Sequence, residues 1–216
     1  MTTPFGLRDD VYRRPLATAL ERIDLGEGWT CADVGAGGGE VSVALAEVVG
    51  ATGRIFAVDV DPAARDAVAA RAAAFAQVFA ITQAGEELRL PVPVDLAFCR
   101  FLLLHVASPL RVLMKMAAAV APGGCVVAQE PITSAGRIDG EPFSYPDARH
   151  PDIGALLPGL CLQAGLEIVD AWAEAPAGAG PGPVASYLES LTGVDPEMES
   201  IVLPPLVTVV ARRPPR

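Results

Sequence analysis

The stretch CADVGAGGGE, residues 31–40, places four glycines and an acid between an apolar run and the helix-like VSVALAEVVG. Glycine takes positive φ without strain and lets backbone approach a ligand closely. A strand that ends in such a turn and opens a helix is where open α/β sheets bind nucleotides. The hydride-cofactor fingerprint G-x-G-x-x-G fails here, since its third glycine would fall on Glu40 counted from Gly35 and on Ser42 counted from Gly37. The pattern present is D-x-G-x-G-x-G, formed by Asp33, Gly35, Gly37 and Gly39.

The acid in that pattern selects among nucleotides. A carboxylate inside the turn repels a pyrophosphate arriving at the helix N-terminus, but suits a ligand that carries an ammonium and a sulfonium. The charge logic therefore turns from NAD towards S-adenosylmethionine. Asp59 adds to this: it ends the next apolar run, GRIFAVDV, twenty residues beyond Gly39. A carboxylate there can accept both ribose hydroxyls. The plain alternative for Asp59 is a strand-end turn residue. For Asp61, followed by Pro62, the alternative is a helix N-cap.

Outward from these stretches, strand and helix alternate. Residues 10–24 predict a leading helix, with Leu16, Leu20 and Ile23 at helical spacing despite Pro15. TCADVGA, GRIFAVDV, QVFAIT, VDLAFCRF and GCVVAQE read as strands. GEVSVALAEVVG, AARDAVAARAAAF and SPLRVLMKMAAAV read as the helices between them. Beyond Glu130 the pattern loosens into Pro, Gly and Asp, with a helix over 152–164, a strand in GLEIVDAWAE, a linker in APAGAGPGP, a short helix around VASYLES and a last strand in LVTVVARR. Repeated βαβ units predict an α/β fold, a mainly parallel sheet with helices on both faces. One domain over 1–216 is expected: an N-terminal helical segment (1–27), a cofactor-binding core (28–130), and substrate-side loops with the final strands (131–216).

Composition narrows the partners. Apolar residues make up 51% and charged residues 19%, as in a globular chain. The 26 acids against 16 bases leave a charge of −10. Such a surface repels nucleic-acid phosphates and anionic lipid. The expected partner is a small-molecule substrate, with no nucleic acid and no membrane; a homodimer remains open. The N-terminus has no charged-then-apolar leader layout and no stretch nears about 20 apolar residues, so a cytoplasmic location is expected. Cys31, Cys99, Cys125 and Cys161 lie among apolar neighbours without metal-ligand spacing and read as free, buried thiols, so no metal is expected.

The stretches ADVGAGGGE, GRIFAVDVDP and VDLAFCRFLLLHVASPLRVLMKMAAAVAPGGCVVAQEP, in that order, resemble class I S-adenosylmethionine-dependent methyltransferases over roughly residues 28–130. The likeness is closest to the small-molecule group that includes quinone-biosynthesis enzymes. It implies a Rossmann-like seven-stranded sheet whose last strand inserts antiparallel beside the fifth. It also implies that Gly35, Ala36, Gly37 and Gly39 line the methionine moiety while Asp33 supports its amino group. Asp59 would hold the ribose and Val60 would face the adenine. The family commonly has an Asp-Ala pair after its third strand; this chain has Gln83, Ala84, Gly85 and Glu86, with Ala84 where the Asp stands, so Gln83 or a backbone carbonyl would replace it. Cys99 and Arg100 would flank the methionine end.

Methyl transfer is an in-line displacement, so the protein's task is alignment and exclusion of water. A general base helps only when the nucleophile has a proton to lose. The candidates are His105, otherwise a helix-entry residue, and His150, otherwise a surface-loop residue. Glu130, Phe143 and Tyr145 are candidate substrate contacts. The sequence lacks the D/N-P-P-Y/F signature of nucleobase amino-methylases, having FCRF instead. The leading expectation is methylation of O, N or C on a small organic metabolite, in keeping with secondary metabolism. A cofactor-bound enzyme of non-methyl chemistry such as cyclisation, and a non-catalytic cofactor-binding protein, are the alternatives.

Overall fold

In the computed structural model, which describes residues 4–142, 148–192 and 200–215, apolar strands of about five to twelve residues stack side by side behind the glycine turn. Helices α1 (Pro4–Val11) and α2 (Arg13–Arg22) precede β1 (Thr30–Val34). Then follow α3 (Glu40–Val49), β2 (Arg54–Asp59), α4 (Pro62–Arg71), β3 (Val78–Thr82), β4 (Val94–Arg100), α5 (Pro109–Ala119) and β5 (Val120–Pro131). The remainder comprises β6 (Arg137–Ile138), β7 (Glu141–Pro142), α6 (Ile153–Gln163), β8 (Glu167–Glu174), β9 (Ala177–Gly178), α7 (Pro183–Thr192), β10 (Ile201–Val202) and β11 (Leu206–Arg212).

Seven strands form one sheet in the order β3-β2-β1-β4-β5-β11-β8. The pairs β1–β2, β1–β4, β2–β3 and β4–β5 are parallel, whereas β11 runs antiparallel to both β5 and β8. The antiparallel last strand beside β5 is as the resemblance implies. Alternation along each strand feeds two cores. Cys31, Ile55, Leu96 and Phe98 pack under Leu45 and Val49 of α3 and Leu16 of α2. Ala32, Val34, Ala97 and Cys99 turn to the opposite face, under Val112, Leu113 and Met116 of α5. Because β1 lies between β2 and β4, the chain winds away from it in both directions, and the crevice at its C-terminal end is the switch point where such sheets bind ligands.

Three features depart from the sequence reading. The leading helix is two helices, α1 and α2, hinged at Tyr12, and Pro15 falls in the first turn of α2, where its missing N–H is harmless. A second, four-stranded sheet, β7-β6-β10-β9, is assembled from two-residue strands. Its β9 lies inside the stretch expected to be a linker and pairs antiparallel with β10. The candidates Phe143 and Tyr145 lie outside the described residues. Among the described residues no helix is long and apolar enough to cross a membrane.

Candidate functional site

The turn after β1 is folded onto β2. The Gly35 and Ala36 N–H groups both donate to the Val58 carbonyl, at 2.7 and 3.0 Å. The Gly37 N–H donates to Asp59 Oδ2 at 2.9 Å, and the Asp61 N–H to Asp59 Oδ1 at 3.0 Å. Asp59 therefore ties the glycine turn to the entry of α4, while Asp61 caps that helix by accepting from the Ala63 N–H at 2.9 Å.

The glycines are required for different reasons. Gly35 has φ +81° and a side chain there would meet Leu102 Cδ1 at 2.8 Å; Gly39 has φ +80° and would meet Val68 Cα at 3.2 Å. At Gly37, with φ +49°, nothing lies nearer than 4.0 Å, and Gly38 faces open space. Packing thus fixes the two ends of the turn, and its middle opens to a cavity.

That cavity, about 480 Å³, runs from Gly37 and Gly38 past Asp59 to Arg8, Phe101 and His105. A second of about 250 Å³ shares Gly35, Asp59, Leu102 and His105 with it and continues to Val60 and Gln83–Glu86. The two form one trough along the C-terminal ends of β1, β2, β3 and β4, with Asp59 at their junction. Val60 is 67% exposed beside the second cavity. Gln83 Oε1 accepts from the Arg89 N–H, and Glu86 Oε1 accepts from the Ala107 N–H, so both side chains brace the loops around it.

Not every candidate reaches the trough. Asp33 lies beneath the turn, 1% exposed, with Ser42 Oγ donating to its Oδ2 at 2.6 Å. Burial pushes its carboxyl up to about 6, against the lowering effect of the Ser42 hydrogen bonds. With Ala36, Glu40 and Arg100 it lines a water-sized space of about 20 Å³. Gly39 is the N-cap of α3. Cys99 requires correction: it is wholly buried in the core under α5, because alternation along β4 turns it away from the face that presents Arg100. Glu130 requires the same: it is wholly buried, its Oε1 accepting from the N–H groups of Leu102 (2.8 Å) and Leu103 (2.7 Å) and its Oε2 from that of Leu104 (3.4 Å). Burial pushes this carboxyl up to about 7, and the three N–H groups oppose that rise.

The two histidines differ. His105 borders both cavities, and burial, then the nearby Arg8, lowers its pKa. His150 borders neither; its N–H donates to the Leu104 carbonyl at 3.0 Å, and its Nε2 is buried without a hydrogen-bond partner.

Arg100 is at the cavity wall but committed elsewhere. Its Nη1 donates to Glu40 Oε2 and its Nη2 to the Tyr12 carbonyl, both at 2.7 Å, which fastens β4 to α3 and to the α1–α2 hinge. Burial lowers the guanidinium and pushes Glu40 up to about 7. Sequence reasoning missed Arg8, Phe101, Leu102 and the α4 alanines Ala63, Ala64 and Ala67, all of which line the larger cavity. Arg8 stacks over the Phe101 ring at 4.9 Å. The signal for Phe101 and Leu102 was their place just after a strand that ends at the switch point; Arg8 had none, since α1 has no apolar stripe.

The family profile described as Methyltransferase domain matches residues 31–124, which takes in the turn, Asp59 and the loop after β4. A comparison with curated proteins finds no match. Among solved structures, an S-adenosylmethionine-dependent methyltransferase from Aquifex aeolicus is similar at 18% identity, with TM-score 0.65 over 98% of this chain and 99% of that one. The N-methyltransferase NodS from Bradyrhizobium japonicum WM9, solved with S-adenosyl-L-homocysteine, is similar at 15% identity, TM-score 0.64, over 94% and 88%. The [4+2]-cyclase SpnF is similar at 19% identity, TM-score 0.70, over 94% and 81%. At these identities the likeness is one of fold: the chain has the Rossmann-like methyltransferase fold.

Proposed function

We propose that this chain is one domain that binds S-adenosylmethionine in the trough and transfers its methyl group to a small organic metabolite. The observation that carries the reading is the junction of two cavities at a strand-end carboxylate beneath a glycine turn. The residues fit the ligand: open space at Gly37 and Gly38 allows close approach, and Asp59 stands midway along the trough. Gly35 to Gly38 would border the methionine portion, Asp59 would take the ribose hydroxyls, and Val60 with Gln83–Glu86 would enclose the adenine. Asp33 would act from beneath the turn, as the buried acid that offsets the ligand's positive charge. The cofactor supplies a methyl carbon activated by a positive sulfur.

This chain's own residues supply alignment and dryness. Phe101 and Leu102 wall the trough across from the glycines and would present an apolar surface to the reacting groups. His105, its pKa lowered, stands neutral at pH 7 and is able to accept a proton from a hydroxyl or amine nucleophile. His150 is the second candidate base, reached only if the loop that holds it shifts. The acidic surface suits a neutral or cationic metabolite in the cytoplasm, and the quinone-biosynthesis-like grouping rests on the sequence resemblance.

The test is incubation with methyl-labelled S-adenosylmethionine and a metabolite panel. Label in a product heavier than its substrate by one labelled methyl group in place of a hydrogen supports the reading. A product of unchanged mass supports the alternative suggested by the fold shared with a cyclase. Cofactor binding without any product would make the chain a cofactor-binding protein.

A further inference from the structure

We propose that Glu130 is a positioning residue: its buried carboxylate shapes the loop 101–105 and thereby sets the wall of the trough that faces the glycine turn. Phe101 leaves β4 with φ +51°, a conformation that L side chains rarely adopt. Its own N–H donates to the Gln129 carbonyl, next to Glu130 in the chain, at 3.0 Å. Past that residue the next three N–H groups, of Leu102, Leu103 and Leu104, converge on the Glu130 oxygens. Successive N–H groups after a left-handed residue form a concavity for an anion. Here the anion is a side chain of the protein, supplied by the neighbouring strand β5. Glu130 is wholly buried, so solvent does not compete with it for the three N–H groups.

The loop so held supplies Phe101, Leu102 and His105 to the wall of the site. Leu102 packs where Gly35 lacks a side chain. The His105 N–H donates to the Leu102 carbonyl at 3.0 Å, and the His150 N–H to the Leu104 carbonyl at 3.0 Å. Both candidate bases therefore hang from backbone that one carboxylate holds. The charged group facing Glu130 from α1 is Arg8, and the thiol of Cys99 faces it from β4.

For its binding readout the proposal rests on the cofactor reading above, so the test has a readout that needs no ligand. In the full chain, Glu130→Leu keeps the size nearly constant and removes both acceptor oxygens from the three donors. Hydrogen exchange at Leu102, Leu103 and Leu104 should accelerate at least tenfold, with the amides of β1 and β2 unchanged, and affinity for S-adenosyl-L-homocysteine should fall at least tenfold. Unchanged exchange overturns the proposal. Faster exchange with unchanged affinity overturns it too, since Glu130 would then act on the loop without acting on the site. If the unaltered chain binds no S-adenosyl-L-homocysteine, the cofactor reading fails and exchange alone decides the positioning role. Should the variant not fold, the unaltered protein gives the answer: the Leu102 and Leu103 amides, whose acceptor is Glu130 Oε1, should exchange at least a hundredfold more slowly than unprotected backbone although they lie in a loop. Exchange at the unprotected rate overturns the proposal.

Discussion

Two loops face one another across the trough, and they solve the same backbone problem in opposite ways. The turn after β1 takes positive φ at Gly35, Gly37 and Gly39, where glycine adopts it freely. The loop after β4 takes positive φ at Phe101, where a side chain makes it unfavourable by about 1–2 kcal/mol. Its compensation is local: a buried carboxylate collects three N–H groups, and the ring packs edge-on against Tyr12, centroids 5.1 Å apart. One loop is permissive by composition, the other is held by contacts. The first can be read from residue types in a row; the second needs residues brought together from β4, β5 and α1.

The largest expected effect breaks the permissive side. Gly35→Val puts a β-branched residue at φ +81° against Leu102, combining backbone strain of about 1–2 kcal/mol with overpacking of about 1–3 kcal/mol. A loss of roughly 2–5 kcal/mol in urea unfolding is expected. Gly37→Ala, with nothing closer than 4.0 Å, should lose only the strain of about 1–2 kcal/mol yet abolish cofactor binding. Equal stability losses at the two positions would show that packing does not separate them.

The next effect compares the buried acids under each loop by pH. Asp33 and Glu130 are raised to about 6 and about 7, above their unfolded values. Each therefore binds its proton more tightly when folded, so its contribution to stability is complete below the unfolded pKa and is lost as pH rises through 6 for Asp33 and 7 for Glu130. The loss is on the order of 3 kcal/mol per group. Urea midpoints for the unaltered chain should fall across that window, and Glu130→Gln should flatten the upper part of the fall. Identical slopes for the two proteins would remove Glu130 from the titration.

The comparison also explains what was legible. The alternation of strands and helices and the placing of Asp59 with the glycine turn followed from apolar period and from glycine spacing, whereas the antiparallel β11 beside β5 followed from the resemblance to class I methyltransferases. Glu130 was visible as a strand-end acid, but nothing in GCVVAQEP tells whether such an acid faces solvent or folds back on a neighbouring loop. Cys99 and Arg100 are adjacent in sequence yet lie on opposite faces of β4, so grouping them by position misplaced one of them. The strands β6, β7, β9 and β10 are two residues each, too short to show a period of two. α1 was missed because PFGLRDDV lacks an apolar stripe, although Arg8 on it reaches the trough.

A smaller effect sharpens the held side. Glycine suits positive φ, so Phe101→Gly should be more stable than Phe101→Ala by about 1 kcal/mol, a reversal of the usual order away from such positions. Thermal unfolding of the pair reads this directly. If the alanine variant is the more stable, the loop does not hold its left-handed residue in solution.

The most direct test of the account is calorimetric titration of S-adenosylmethionine into the unaltered chain and into Asp59→Ala. If Asp59 accepts two ribose hydroxyls, charge-assisted bonds of about 1.5–3 kcal/mol gross are lost with it. One site per chain is expected, weakened at least tenfold in the variant, since about 1.4 kcal/mol is tenfold. No binding by the unaltered chain, or equal affinity in both, would contradict the account.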